Sequence, residues 1–252
     1  MNNFKCIMAT VVVLVLSAGV VAVADTDTDE NWVSLFDGKS LDGWTQRGGK
    51  AEYQVEDGVI VGITVPGRVV NGKPVSGTPN SFLCTDTLYG DFILELEFKV
   101  DPQMNSGVQI RSNSYPEYDN GRVHGYQVEI DPSDRAWSGG IYDEGRRGWL
   151  QDVKDKPEAQ RAFKQNEWNH FRIEARGDSI KTWLNGVPAA DLKDSMTASG
   201  FIALQVHGSK DPVARKVFWR NIRIVDLDRP HAPPIPSAQQ RNVNNARQHV
   251  QQ

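Results

Sequence analysis

Two segments decide the fold of this chain: Asn105-Ser106-Gly107-Val108-Gln109-Ile110-Arg111 and Gly125-Tyr126-Gln127-Val128-Glu129-Ile130-Asp131. Apolar and polar residues alternate in both, which is the period of a β-strand with one buried face. Each segment is therefore predicted to be a strand that points its apolar side chains into a core. The polar side chains then share the other face of the sheet.

The polar face of these strands carries amides, a guanidinium and carboxylates close together. Its members are Gln109, Arg111, Gln127, Glu129 and Asp131. The segment 201–207 repeats the alternation and turns Gln205 and His207 outward. If the three strands are neighbours in one sheet, these side chains converge on one surface. That surface is the candidate site.

The rest of the chain has the pattern of an all-β protein. Short alternating or apolar segments are separated by turn residues, and Asn185-Gly186 between two of them is typical of a type I′ hairpin turn. Residues 156–164 are the segment with a helical pattern. About a dozen short strands without a fixed repeat favour two antiparallel sheets packed as a sandwich. We predict a concanavalin A-like jelly roll of the lectin and glucanase type, with ligands across a concave face.

The first 24 residues are predicted to be a signal peptide. Lys5 precedes an apolar run, and Ala22-Val23-Ala24 has the small-x-small form of a signal-peptidase site. The run also approaches the length that spans a membrane, so a retained anchor is the alternative. Because the cleavage site follows the run directly, we predict export to the periplasm or the extracellular space without a stable anchor.

Three further regions follow the signal peptide. Residues 25–31 are an acidic leader with few apolar side chains, and residues 228–252 are rich in Pro, Gln, Asn and Arg. Neither can bury enough apolar surface to fold, so both are predicted to be flexible. Residues 32–227 are predicted to form one β-sandwich domain, which is within the usual length of such a domain.

Composition excludes nucleic acid as a partner and disulfides as a source of stability. The 32 acidic residues outnumber the 28 basic ones, and no basic stripe is present to bind phosphates. Cys84 is the one cysteine after the signal segment, so no intrachain disulfide can form. The core must therefore stabilise the domain.

Aromatic rings follow the second strand of the candidate site. Residues 133–149, which carry Trp137, Tyr142 and Trp149 among glycines, are predicted to be a mobile polar loop. Such rings suit stacking on the apolar C–H face of a sugar, so Trp137 and Tyr142 are candidate substrate-binding residues. The alternative is that one or two of the rings only cap the core.

Two candidate residues have structural alternatives. Arg111 and Glu129 could be a cross-strand ion pair that only holds the sheet together. His207 could be a surface histidine beside the turn Gly208-Ser209. Its place in register with Gln205 and a facing Glu is the argument for a functional role, and both interpretations stay open.

One short motif indicates an alternative function. Glu129-Ile130-Asp131-Pro132-Ser133-Asp134 resembles the E-x-D-x-x-E strand of lectin-fold β-glucanases, whose carboxylates serve a retaining mechanism. The third position here is the shorter Asp134, and Pro132 is expected to end the strand before it. A retaining glycoside hydrolase is therefore the second hypothesis. A non-catalytic carbohydrate-binding module is the third.

An ordered set of motifs carries a more specific resemblance. The motifs are Leu35-Phe36-Asp37-Gly38-Lys39-Ser40-Leu41-Asp42-Gly43-Trp44, Asn105-Ser106-Gly107, Gly125-Tyr126-Gln127-Val128-Glu129-Ile130, Gly140-Ile141-Tyr142, Glu167-Trp168-Asn169, Trp183-Leu184-Asn185-Gly186 and Ile202-Ala203-Leu204-Gln205-Val206-His207. Over residues 32–227 the chain resembles the 3-keto-disaccharide hydrolase family, formerly a domain of unknown function. The resemblance implies a concanavalin-like sandwich in an exported bacterial protein. It also implies action on 3-keto-glycosides, as a 1,2-lyase or a hydratase of the 2-hydroxy-glucal, with net hydrolysis as the sum.

The implied reaction needs a base and a positive group. A ketone at C3 acidifies the hydrogen on C2, and after its removal the enolate expels the group at C1. We expect His207 or Glu129 to be the base. We expect Arg111, or a divalent metal held by Glu129 and His207, to hold the enolate oxygen. The residues expected to orient hydroxyls of a 3-keto-glucoside or oligosaccharide are Asn105, Gln127 and Gln205.

Overall fold

The computed structural model describes residues 32–228, and these residues are almost entirely β-strand. The strands are β1 (Val33–Ser34), β2 (Trp44–Gly48), β3 (Glu52–Glu56), β4 (Val59–Ile63), β5 (Arg68–Val70), β6 (Lys73–Val75), β7 (Ser81–Thr85), β8 (Phe92–Val100), β9 (Ser106–Asn113), β10 (His124–Ile130), β11 (Ile141–Glu144), β12 (Gly148–Gln151), β13 (Asn169–Arg176), β14 (Ser179–Leu184), β15 (Val187–Lys193), β16 (Phe201–Val206) and β17 (Lys216–Asp226). A six-residue helix, α1 (Pro157–Ala162), replaces the longer helix predicted over residues 156–164.

Two large antiparallel sheets form a sandwich, which confirms the predicted concanavalin A-like fold. The eight-stranded sheet has the order β15-β14-β13-β8-β17-β4-β3, with β1 beside β17. The seven-stranded sheet has the order β12-β11-β10-β9-β16-β7-β2. β5 and β6 form a separate hairpin. The strands β10, β9 and β16 are neighbours, as predicted for the three strands of the candidate site.

The core lies between the sheets and is built by alternation. Leu94, Leu96 and Phe98 of β8 are fully buried in the same apolar cluster as Val108 and Val128 from the seven-stranded sheet. Alternate residues of each strand must then point away from this cluster. The polar set of β9, β10 and β16 is thereby assigned to the outer face of the seven-stranded sheet.

The turn and loop predictions have different outcomes. Asn185 and Gly186 both have positive φ (50° and 81°), as a type I′ turn requires, so that hairpin is confirmed. The prediction of one mobile loop over residues 133–149 is wrong, because β11 and the start of β12 lie within it. Asp143 of β11 is buried in ion pairs with two arginines, and a polar residue at an inward position hid the strand pattern.

A β-bulge at Arg111 changes which way β9 points its side chains. Arg111 has a φ of +45°, and the pairing of β9 with both β10 and β16 shifts there by one residue. Gly125 and Gly200 border the bulge, where a Cβ would lie within 2.3 Å of atoms of Ser112. The bulge therefore ends the simple alternation that the sequence pattern implied.

The predicted signal peptide, the leader and residues 229–252 lie outside the described residues. Within residues 32–228 no helix is long and apolar enough to cross a membrane. Asp228, which was assigned to the tail, accepts a hydrogen bond from the Asp91 backbone N–H (2.9 Å). The predicted boundaries of the domain stay a prediction.

Candidate functional site

A row of residues crosses the outer face of the seven-stranded sheet. Strand register places each member opposite the next: Glu129, Gly107, Gln205, Phe82 and Arg47. Residues paired in this way point to the same face. We call this set the Glu129 row. The neighbouring row contains Gln127, Gln109, Ala203, Cys84 and Thr45.

Glu129 is a carboxylate held in an almost closed environment. It is 4% exposed. Its Oε1 accepts a hydrogen bond from Asn105 Nδ2 (2.5 Å), and its Oε2 accepts one from Gln127 Nε2 (2.8 Å). Burial raises the pKa of Glu129 to about 7, against the lowering effect of the two amides. A group that titrates near neutral pH is suited to take and return a proton.

A directional chain of hydrogen bonds leads to this carboxylate. Ser112 Oγ donates to Gln109 Oε1 (2.8 Å), and Gln109 Nε2 donates to Gln127 Oε1 (2.5 Å). Because each amide oxygen accepts, each amide nitrogen points toward Glu129. Gly107 leaves the room for this arrangement, since a Cβ there would lie 2.5 Å from Gln127 Cδ.

Three aromatic rings form a platform beside the Glu129 row. Trp137 and Trp149 meet edge to face with centroids 4.8 Å apart, and Tyr142 and Trp149 do so at 5.4 Å. Tyr142 is opposite Gln127 in the register, so the platform adjoins the residues around Glu129. The three rings are half-buried, and their exposed parts can contact a ligand.

Asp131 organises the loop that carries Trp137. Its Oδ1 accepts the N–H and O–H of Ser133, and its Oδ2 accepts Arg135 Nε (2.7 Å) and the N–H of Trp137. The guanidinium of Arg135 in turn lies 4.5 Å from the ring centroid of Trp137 and 5.2 Å from that of Trp149. Both oxygens of the Asp131 carboxylate therefore accept hydrogen bonds from within this loop. Asp134 is exposed.

Gln205 lies in the Glu129 row, and His207 is the second residue after it, beyond the end of β16. Gln205 is fully buried, yet neither its Oε1 nor its Nε2 has a hydrogen-bond partner among the described residues. His207 follows β16 and is exposed. Its Nδ1 lies 2.9 Å from the carbonyl oxygen of Gly208, which can only accept, so Nδ1 donates and Nε2 remains available.

The prediction that Arg111 joins Glu129 at the site is wrong. The bulge turns its side chain away from the outer face, and its guanidinium donates to the carbonyl oxygens of Gly90 and Gly177 (both 2.7 Å) and to Asp91 (2.8 Å). These acceptors lie next to β8 and β13 of the other sheet. Arg111, which is 1% exposed, therefore joins the two sheets.

The residues proposed as metal ligands make an incomplete set. Glu129 and His207 supply two donors, whereas catalytic metal sites commonly have three protein ligands. Among residues 32–228 no group of three or more His, Cys, Asp or Glu side chains is arranged to hold a metal ion. We therefore route no chemical step through a metal.

Sequence reasoning did not single out three residues of the site. Gln109 belongs to the polar face and Trp149 to the aromatic residues after the second strand, but the sequence pattern gives neither of them a role in binding. It gives Arg135 no role. Its i,i+4 spacing from Asp131 is the one sequence signal that could have indicated the ion pair.

The family model for the 3-keto-alpha-glucoside-1,2-lyase-like domain matches residues 31–225. The chain belongs to this family. The suspected resemblance is thereby confirmed, and membership gives the protein a carbohydrate-related function with a sugar ligand. A comparison with curated proteins finds no match.

Several solved structures are similar to this family member. Two crystal structures of proteins from Parabacteroides distasonis, assigned as glycosyl hydrolases, have TM-scores of 0.54 and 0.50. The first is 21% identical over 79% of this chain and 94% of its own, and the second 22% over 78% and 99%. The carbohydrate-binding module CBM66 from Bacillus subtilis is 18% identical over 72% and 94%, with a TM-score of 0.48. At these identities the likeness shows the fold alone.

Proposed function

We propose that this protein cleaves 3-keto-glycosides by removing the proton on C2 and eliminating the group at C1, with hydration of the product completing a net hydrolysis. The observation that supports the proposal is the environment of Glu129. It is a buried carboxylate with a pKa of about 7, held by two amides on the outer face of a lectin-type sheet. Family membership supplies the substrate class.

In the proposed reaction Glu129 is the base. Its carboxylate takes the proton from C2, and the electrons of the C–H bond pass to the C3 oxygen to give an enolate. The enolate re-forms the C3 carbonyl while the C1–O bond breaks and a C1–C2 double bond remains. The leaving oxygen needs one proton, and Glu129 has just gained one. Addition of water at C1 and of a proton at C2 reverses the same steps.

Glu129 is the stronger candidate for the base than His207. The carboxylate is fixed by Asn105 and Gln127, so its oxygens are already positioned, whereas His207 is exposed and bonds to a neighbouring backbone carbonyl. Positioned groups lose less entropy on reaching the transition state. We keep His207, with its available Nε2, as a candidate to contact the leaving group.

The carboxylates argue against a retaining glycosidase. Such an enzyme needs two carboxyl groups facing the same bond, one as acid and one as nucleophile. Asp131 is occupied by Ser133, Arg135 and Trp137, and Asp134 is exposed. Glu129 therefore has no free carboxylate partner among the residues of the glucanase-like motif.

Substrate contacts are proposed on both sides of Glu129. The platform of Trp137, Tyr142 and Trp149 would stack on a sugar ring, because its exposed edges adjoin the Glu129 row. Gln205 has an unpaired amide in that row and would hydrogen-bond a substrate hydroxyl. We further propose that the chain is exported, which an N-terminus at Asp25 in secreted material would support.

Product analysis by NMR tests the function. The full-length protein and its E129Q variant are incubated in D₂O with a 3-keto-glucoside and with the parent glucoside, with and without a chelator. We expect the wild type to give a 2-hydroxy-glucal product or deuterium at C2 from the keto substrate alone, and E129Q to give neither.

Three other outcomes would contradict this proposal. Cleavage of the parent glucoside would favour the glycosidase. No change in either substrate, with glycan binding retained, would favour a binding module. Loss of activity with the chelator would contradict the metal-free route.

A further inference from the structure

We propose that Arg135 is the cation that holds the C3 oxygen of the enolate, the role that sequence reasoning gave to Arg111. This inference rests on the proposed function and adds the second group that the elimination requires. A base alone would leave the developing negative charge on oxygen without a partner. Such stabilisation of an oxyanion is commonly the largest single contribution to catalysis.

Arg135 contacts residues that lie next to Glu129. Its Nε donates to Asp131, two residues beyond Glu129 along the chain. Its guanidinium also lies over Trp149, which is opposite Tyr142 in the register, and Tyr142 is opposite Gln127. Asp131 and Gln127 are the second residues after and before Glu129 along the chain, and Asp131 follows the end of β10. Arg135 therefore lies between the loop after β10 and the aromatic platform, close enough to Glu129 for its charge to act on that carboxyl.

The terminal nitrogens of Arg135 are available to a ligand. Nε donates to Asp131, whereas neither Nη1 nor Nη2 has a hydrogen-bond acceptor among residues 32–228. The side chain is 42% exposed, so these nitrogens face solvent next to the site. Two N–H groups in one plane match the lone pairs of an enolate oxygen and an adjacent hydroxyl.

The surroundings of Arg135 hold it in place before a substrate arrives. Asp131 is fixed by Ser133 and by the backbone of Trp137, and the guanidinium contacts two tryptophan rings. Arginine stacks on aromatic faces, and its planar fork loses little freedom for each bond it then forms. A preorganised cation needs no rearrangement as charge develops in the transition state.

Four other arginines lie near the site, and none is placed as Arg135 is. Arg47 has a buried Nε without a hydrogen-bond partner among the described residues, but it stands at the far end of the Glu129 row, four strands from Glu129. The other three are committed elsewhere. Arg111 donates to three acceptors that lie next to the other sheet. Arg146 and Arg147 are ion-paired with the buried Asp143. Arg135 also lowers the pKa of Glu129, although burial is the larger effect, so the two side chains interact electrostatically.

The experiment compares R135Q and R135K with R223Q. Arg223 is a matched control on the eight-stranded sheet, because it also stacks on a tryptophan (Trp32, 4.3 Å) and pairs with a carboxylate (Glu95, 2.6 Å). For a 3-keto-glucoside we expect R135Q to lower kcat about 100- to 1,000-fold with KM nearly unchanged, as for loss of one oxyanion donor. R135K should recover part of this loss, and R223Q should match the wild type.

Two further measurements separate catalysis from folding and binding. We expect deuterium exchange at C2 to slow in R135Q by a factor similar to that in kcat, because forming the enolate needs the cation. Binding of the unreactive parent glucoside should change less than about threefold, since no enolate forms. Circular dichroism should confirm that both glutamine variants fold.

The outcomes distinguish this inference from the function on which it rests. An active wild type with an unaffected R135Q, or a raised KM at constant kcat, would overturn the role of Arg135 and leave the elimination intact. A wild type that leaves the keto substrate unchanged would overturn the proposed function, and the role of Arg135 with it.

Discussion

At the residue scale, Glu129 shows how burial and hydrogen bonding together set the chemistry of a carboxylate. Burial disfavours the charged form, while two amide donors stabilise it. The balance leaves a pKa of about 7, well above the 4.5 of a free glutamate. The same side chain can therefore accept a proton and give it back under the same conditions.

The pH dependence of turnover follows from this pKa. A base must be ionised, so kcat/KM should rise with pH through about 7 and then level off. E129Q should lose at least about 1,000-fold in kcat, because no other carboxylate replaces it. The control is E97Q, which removes a carboxylate paired with Arg220 on the other sheet and should leave turnover unchanged. A falling profile across neutral pH would exclude Glu129 as the base.

Arg111 is the contrasting case of a charged residue that serves the fold. Replacing it by methionine removes the guanidinium donor to two carbonyl oxygens and to Asp91, which keeps the N–H of Gly177. We expect R111M to lower the free energy of unfolding by about 1–3 kcal/mol, measured in urea at pH 7, because the buried carbonyl oxygen of Gly90 loses its donor. The exposed Arg176, whose ion pair with Glu174 spans 4.0 Å, is the control, and R176Q should cost less than about 0.5 kcal/mol. Unchanged stability of R111M would contradict a sheet-joining role.

At the element scale, strand register determines which side chains meet. Glu129 and Gln205 are far apart in sequence, but both are opposite Gly107, so three strands bring them into one row. The bulge at Arg111 ends the outward-facing series of β9 after Gly107 and Gln109. The site therefore depends on β9, which contributes Gly107 and Gln109 in the centre of the sheet.

Gly107 of β9 offers a direct test of this arrangement. In G107A the new Cβ would lie 2.5 Å from Gln127 Cδ, so the Gln127 side chain must move and release Glu129 Oε2. We expect kcat to fall at least about tenfold while the free energy of unfolding changes by about 1–2 kcal/mol. S112A, which removes only the first donor of the chain, should have a smaller effect on kcat. Equal effects of the two variants would argue against positioning through Gln127.

At the scale of the whole molecule, the buried acid of the site opposes stability. The folded state holds the proton of Glu129 more tightly than the unfolded chain does, so the neutral carboxyl is favoured in the fold. The stabilisation that comes from this tighter proton binding is fully present below pH 4.5 and is lost as the pH rises through about 7. The sandwich thus tolerates a destabilising group at neutral pH, as active sites commonly do.

Urea unfolding at several pH values measures this effect. Between pH 4.5 and 7 the free energy of unfolding of the wild type should fall by about 3 kcal/mol more than that of E129Q. In E129Q the N–H₂ group of the new glutamine must lie near one of the two amide donors, which destabilises the variant by the same amount at each pH. The experiment therefore compares how the free energy of unfolding changes with pH, and not its value at one pH. Parallel pH curves would mean that the pKa of Glu129 is not raised.

Much of the fold was predictable because strands have a short period. Two-residue alternation in residues 105–111 and 125–131 identified the central strands and their faces, and the Asn185-Gly186 turn identified a hairpin. The β11 strand was missed, because its buried Asp143 has the polarity of a loop residue. Its burial depends on Arg146 and Arg147, whose contacts no local pattern specifies.

By itself, the sequence determined the two-sheet sandwich, the outward face of Gln127, Glu129 and Gln205, and the family. Each of these follows from local alternation or from ordered motifs, which need no knowledge of distant contacts. Only the tertiary structure decided that Arg111 leaves the site and that Arg135 adjoins it. The reason is physical: a one-residue bulge reverses the direction of every later side chain on its strand, and a loop cation is positioned by the partners it meets in space.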